Sequence, residues 1–219
     1  MLRLATFWTP SHRDMAREFV LDRVRGFTDI VAVEYPQQCP SGSFKQPGWN
    51  ACMDDKLRLL LDLPTDDQPT LYVDADCLLL PGVERWAEET AARLLPDEIA
   101  YSNDVIQWCA GVMLFRTTEA VRDWWRLVLD MSRLLDLPDQ ETIAVLRQYA
   151  KRLPVPMSCL PASRVANWGT LGNRTPWAGE PFTLPSSAVV WHANWTIGVP
   201  SKMAMLRAAA SQAIADGRC

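Results

Sequence analysis

The run Thr70-Leu71-Tyr72-Val73-Asp74-Ala75-Asp76 carries a short apolar stretch into two carboxylates one residue apart. Residues i and i+2 of a strand share a face, so Asp74 and Asp76 can enter the same space. Two carboxylates side by side repel each other and resist desolvation unless a cation lies between them. A hard divalent ion, Mn2+ or Mg2+, would meet that need and leave coordination positions open for a phosphate oxygen. A strand running into a polar turn is the other reading of this run, since Asp is common in turns.

A second group lies far downstream. The chain has two histidines, His12 and His192, and His192 opens the stretch His192-Ala193-Asn194-Trp195-Thr196-Ile197-Gly198-Val199-Pro200-Ser201-Lys202. An imidazole adds a third ligand to two carboxylates, and a glycine such as Gly198 lets backbone approach a phosphate closely. Lys202 can neutralise phosphate charge as a point donor. The alternative is a lone polar residue at a strand end.

Placing these groups together requires a framework. Strand and helix patterns alternate along the chain, the mark of an α/β sheet. The expected strands are 2–9, 29–34, 70–76 with an extension at 78–80 stopped by Pro81-Gly82, 99–102, 108–115 and 189–191. The expected helices are 11–24 with Ser11 as N-cap, 50–63 carrying Lys56, 83–95, 118–135, 139–151 and 201–215. Residues 36–49 read as a loop. Between 153 and 185, six prolines break periodic structure around Trp168 and Trp177, which suggests an irregular lobe on the open side of the sheet.

In this order, four segments resemble the GT-A-fold glycosyltransferases. They are the strand ending in Asp-x-Asp, the segment from Trp108 through Cys109-Ala110-Gly111 to Arg116, the pair Asp139-Gln140, and the stretch from His192 to Lys202. The likeness is to the nucleotide-diphospho-sugar transferases and their retaining relatives, the bacterial lipopolysaccharide galactosyltransferases and glycogenins. It implies a Rossmann-like, mainly parallel mixed sheet flanked by helices, with an irregular C-terminal lobe. It also implies one domain over 1–219, with a nucleotide-sugar-binding half (1–115) and an acceptor side carrying the C-terminal metal and phosphate motif (116–219).

The resemblance assigns roles. Asp74, Asp76 and His192 match the metal ligands. Lys202 matches the lysine on the donor diphosphate, with Gly198 in the phosphate loop. Lys56 matches a basic position near the donor sugar, and Ala110 and Gly111 belong to the donor-binding strand. Asp104 matches the acidic residue ahead of that strand, Asp139 a sugar-hydroxyl acceptor, and Gln140 a polar group under the anomeric carbon. Thr6 and Trp8 lie where base and ribose would bind. Other readings of the residues stand beside these: a turn at Asp104, a helix cap at Asp139, a solvated helix face at Lys56. Two departures are visible. Cys109 stands where the family usually has Asn before Ala-Gly-Val, which bears on the sugar preference. The closing motif is longer between His and Gly than in the galactosyltransferase branch and lacks its Lys-Pro-Trp ending.

The implied activity is transfer of a sugar from a nucleotide diphosphate, a UDP-sugar, to a hydroxyl with retention. The acceptor is open: a glycan, a lipid-linked sugar, a protein, a small molecule or a hydroxylated DNA base. A haloacid-dehalogenase-like phosphohydrolase also uses Asp-x-Asp after an apolar strand, but on its first strand. A non-catalytic sugar-nucleotide-binding protein is the other alternative. Composition narrows the field. At 219 residues with 48% hydrophobic and 22% charged, the chain can bury a core of ordinary size. A net charge of −4 supplies no general pull toward nucleic acid or anionic membrane. The apolar runs are too short to span a bilayer, and the N-terminus reads as a strand instead of a signal peptide. Six cysteines without a C-x-x-C pair point to a reduced, cytosolic protein.

Overall fold

In a computed structural model describing residues 1–40, 43, 45–104, 108–150 and 153–218, two sheets share the chain. The larger has the order β2-β1-β3-β6-β5-β7: β1 (Arg3–Trp8), β2 (Asp29–Glu34), β3 (Pro69–Val73), β5 (Ile99–Asn103), β6 (Trp108–Arg116) and β7 (Met157–Cys159). Strand β6 pairs antiparallel with both β3 and β5, whereas β1 is parallel to β2 and β3, and β7 to β5. Five strands therefore run one way and β6 the other. The smaller sheet is β4 (Cys77–Leu79), β9 (Val190–His192) and β8 (Val165–Asn167), with β9 in the middle.

Both faces of the large sheet are covered, which is why its central strands are apolar at successive positions. On one face, Ala5, Phe7, Tyr72, Met113 and Phe115 pack with Leu57 and Leu60 of α2 (Trp49–Asp62) and with Trp124, Trp125 and Val128 of α4 (Glu119–Leu135). On the other, Leu4, Leu71, Val73, Val112 and Leu114 meet Val20 and the Val83, Trp86 and Ala87 of α3 (Val83–Ala91). The period of two in each strand sorts these sets. Helix α5 (Asp139–Tyr149) follows α4, and α6 (Val199–Ala215) lays Met205, Leu206, Ala209 and Ala213 against Leu78 and Trp191 of the small sheet and against Leu80 just after β4.

Several expected elements differ in detail. Residues 11–24 do not form one α-helix. The chain takes a 3-10 turn (Pro10–His12), a single α turn α1 (Arg13–Met15), a π segment (Ala16–Val20) and another 3-10 turn (Leu21–Arg23). Ser11 lies inside the first turn, and Thr9 occupies the cap position. Ala16, Phe19 and Val20 are buried in the π segment, with Val20 packed in the core against the large sheet and Phe19 in the core beneath α6. Helix α3 stops at Ala91. The expected end of α5 at Lys151 lies outside the described residues. The irregular lobe contains β7 and β8, so part of it completes the two sheets.

Candidate functional site

Asp74 follows the last residue of β3. Its backbone N–H donates to Gly111 O at 2.8 Å, and Cys77 N donates back to Asp74 O at 3.2 Å. The two aspartates thus sit in a turn between β3 and β4, not on one strand face: the chain must change sheet here, because Cys77 pairs with His192 in the small sheet. The turn carries Asp76 to His192, whose neighbour Ala193 N donates to Asp76 O at 2.9 Å.

Asp76 is buried, and its two oxygens are divided between partners. Oδ1 lies 3.2 Å from His192 Nε2, and Oδ2 accepts from Lys202 Nζ at 2.5 Å. Burial opposes its charge, yet Lys202 and His192 hold its carboxyl well below the usual carboxylate range. Asp74 moves the other way: burial pushes its carboxyl up, with Lys56 pulling against that. His192 is buried too, and although burial disfavours the imidazolium, Asp76 and Cys109 raise its pKa well above the ordinary value.

Lys56, on α2, is 2% exposed and reaches Asp139 Oδ2 at 2.8 Å and Asp74 Oδ1 at 3.3 Å. Its ammonium also stands 5.1 Å from the centre of the Tyr72 ring. Burial works against that charge, but Asp139 and Asp74 outweigh it and keep the lysine protonated. Lys56 is therefore no solvated helix residue. Asp139 is the first residue of α5 behind a Pro138 cap, and its side chain turns to Lys56. Gln140 beside it accepts from Ala110 N at 3.3 Å.

Gly111 faces this centre from β6. A Cβ there would stand 2.8 Å from His192 Nε2 and 2.9 Å from Asp74 Oδ2, and closer still to His192 Cε1. Glycine therefore leaves the space in which these atoms converge. A register shift in the β5–β6 pairing, between Tyr101 and Ser102, falls opposite this stretch, and Ser102 Oγ donates to Cys109 O at 2.9 Å. Such irregularities re-aim side chains locally.

The remaining residues are placed as follows. Asp104 Oδ1 accepts from Trp195 Nε1 at 2.6 Å, tying the loop after β9 to the end of β5; Trp195 has a left-handed backbone, φ 59°. Gly198 caps α6 with φ 81°, and its carbonyl accepts from Lys202 N. Trp8 Nε1 donates to Glu34 at 2.7 Å. Thr6 is fully buried, and its Oγ1 has no partner among the described residues.

Three contributors lay outside the expected set. Tyr72 donates to Asp74 Oδ1 at 2.5 Å, a partner that strand alternation two residues earlier could have indicated. Cys77 joins Asp76 and His192, with ligand atoms within 4.8 Å of one another. Its thiol is pushed well up by burial and by both aspartates, so it is a protonated sulfur facing Gly111 O. Cys109 touches His192. Asp76 and His192 thus offer oxygen and nitrogen donors beside Cys77, whereas Asp74 lies outside that cluster and meets the same space only across Gly111. Among the described residues, no helix is long and apolar enough to cross a membrane.

No family model and no curated protein sequence matches the chain. Solved structures do. A glycosyltransferase involved in the glycosylation of the major capsid of PBCV-1 superposes with a TM-score of 0.64 at 10% identity, over 94% of this chain and 98% of that one. Mouse xyloside xylosyltransferase 1 in its apo form gives 0.54 at 11%, over 88% and 97%. An active-site mutant of LgtC gives 0.52 at 11%, over 88% and 87%. The chain thus has the mixed α/β fold of the GT-A glycosyltransferases.

Proposed function

We propose that the protein is a metal-dependent glycosyltransferase that moves a sugar from a nucleotide diphosphate, a UDP-sugar, to a hydroxyl acceptor with retention. One observation carries this reading: Asp76 is held between Lys202 and His192 while Asp74 faces the same space across Gly111. Asp74, Asp76 and His192 would hold Mn2+ or Mg2+. A bound divalent ion supplies Lewis-acid stabilisation of the charge that develops on a departing diphosphate.

The chain's own groups do the rest. Lys202, in the first turn of α6, places a positive charge beside the helix N-terminus, so both favour an anionic diphosphate there. Asp139, fixed by Lys56, accepts from a sugar hydroxyl. Gln140, anchored at Ala110 N, is the polar group that would lie under the anomeric carbon. Trp8 binds the nucleoside and Ala110 and Gly198 offer backbone to the donor, whereas the fully buried Thr6 has no surface to offer it. In the reaction the bond between the anomeric carbon and the diphosphate oxygen breaks. The acceptor oxygen bonds to the same face, and its proton passes to the departing phosphate oxygen. The positively polarised sugar in the transition state is favoured by nearby carboxylates such as Asp139 and Asp104.

A thermal-shift screen of nucleotide sugars with and without Mn2+, on wild type and Asp76→Ala, tests the proposal. One donor class should stabilise the wild type in the presence of metal and fail with the mutant. Stabilisation without nucleotide release in the presence of acceptors would leave a binding protein. Hydrolysis of an aryl phosphate would favour a phosphohydrolase. Equal stabilisation of the mutant would overturn the metal reading.

A further inference from the structure

Cys109 occupies the position before Ala110-Gly111-Val112, and its sulfur contacts His192 of the candidate site. Sγ lies 3.7 Å from His192 Nδ1, 3.4 Å from Gly111 N, which donates to it, and 3.9 Å from Asn194 Nδ2. The residue is buried, and Ser102 fixes its backbone through the carbonyl. We propose that Cys109 is a positioning residue for His192, holding the plane of the imidazole so that Nε2 is the nitrogen offered to a divalent ion beside Asp76. The inference rests on the metal-site reading given above.

An imidazole has two nitrogens, and the partner of one decides what the other can do. With Nδ1–H directed at sulfur, Nε2 carries a lone pair and faces Asp76 Oδ1 at 3.2 Å. Two lone-pair atoms at that distance repel unless a cation or a proton lies between them. With protons on both nitrogens, Nε2–H donates to Asp76 while Nδ1–H stays directed at sulfur, and with the proton on Nε2 alone the thiol can donate to Nδ1. A thiol is a weak donor and a weak acceptor, so it serves both arrangements without moving. The ring can then exchange a proton for a metal at Nε2 while its plane is retained. A valine serves neither arrangement, and a serine serves both with a shorter reach.

The test uses 15N-histidine-labelled full-length protein, in which His12 is an internal control because the chain has two histidines. In metal-free protein, Cys109→Val should move both ring-nitrogen shifts of His192 while those of His12 stay in place, and Cys109→Ser should return them toward wild type. Mn2+ affinity measured by electron paramagnetic resonance should fall roughly 10–100-fold in Cys109→Val and stay within about 3-fold in Cys109→Ser. Unchanged His192 shifts in the valine variant, or unchanged Mn2+ affinity, would overturn the assignment to Cys109. Absence of Mn2+ binding by the wild type would instead overturn the metal-site reading beneath it, and the shift comparison would still decide whether Cys109 governs the ring.

Discussion

Lys202 Nζ donates to Asp76 Oδ2 at 2.5 Å across 126 residues of sequence. A lysine in the first turn of a helix faces the positive end of the macrodipole, which disfavours it by a few tenths of a kcal/mol to about 1 kcal/mol. The ion pair to a buried carboxylate overcomes that penalty and brings the start of α6 to the turn after β3. Lys202→Met should lower the unfolding free energy by about 2–4 kcal/mol, because it leaves a buried charge without its nearest cation. The double variant with Asp76→Asn should recover part of the loss. A coupling energy of about 1–3 kcal/mol from urea denaturation of the four proteins would measure the pair. Additive losses would contradict it.

Gly111→Ala puts a methyl group into the space shared by Asp74 Oδ2 and His192 Nε2. The expected cost in stability is about 1–3 kcal/mol, as for other overpacked sites. The sharper outcome concerns metal: stabilisation by Mn2+ should disappear, whereas Leu134→Ala, at an exposed position near the end of α4, should leave it intact. Thermal melts with and without Mn2+ decide the matter.

Lys56 is a buried cation between Asp74 and Asp139. Lys56→Met should destabilise the protein by about 3–5 kcal/mol, since it strands two carboxylates. Lys56→Arg should not restore stability, because a planar guanidinium cannot replace a compact ammonium in a closed space. Chemical denaturation gives both numbers, and full rescue by arginine would show that charge alone matters.

Away from the site, Arg3 is buried and reaches Asp29 and Asp66, each at 2.6 Å. The hydrogen bond from Arg3 is the leading cause that lowers the Asp66 carboxyl, from 3.8 to about 2. A folded-state pKa below the unfolded one means the unfolded chain binds more protons between them. Stability from this group is therefore fully present above about pH 4 and fades as pH falls toward 2. Asp66 is partly exposed, so after solvent screening the contribution is about 1 kcal/mol. Asp66→Asn should flatten the pH dependence of urea midpoints in that window. An unchanged slope would assign the acid sensitivity elsewhere.

Much of the framework was legible in the residues. Apolar runs at 71–73 and 112–115 identify strands, and Glu119–Leu135 carries a helical stripe, because side-chain periodicity follows directly from backbone geometry. The departures share one cause. The end of β3 at Val73, where the chain turns so that Cys77 pairs with His192, and the β5–β6 register shift each answer to a neighbour outside the local pattern. Local pattern carries no record of such neighbours. For Lys56, a solvated face was one reading of the sequence, and its burial against Asp139 follows only from how α2 and α5 pack.

Residue types along the chain were enough to establish which chemical groups exist: a carboxylate pair after an apolar strand, an imidazole near the C-terminus, a lysine ten residues beyond it. Which of them touch was decided by the packing of two sheets and three helices, which brought Lys202 to one oxygen of Asp76, His192 to the other, and Cys109 to the back of the imidazole. The physical reason is range. Backbone preference acts over a few neighbouring residues, whereas a desolvated charge must find its partner wherever the folded core happens to place one.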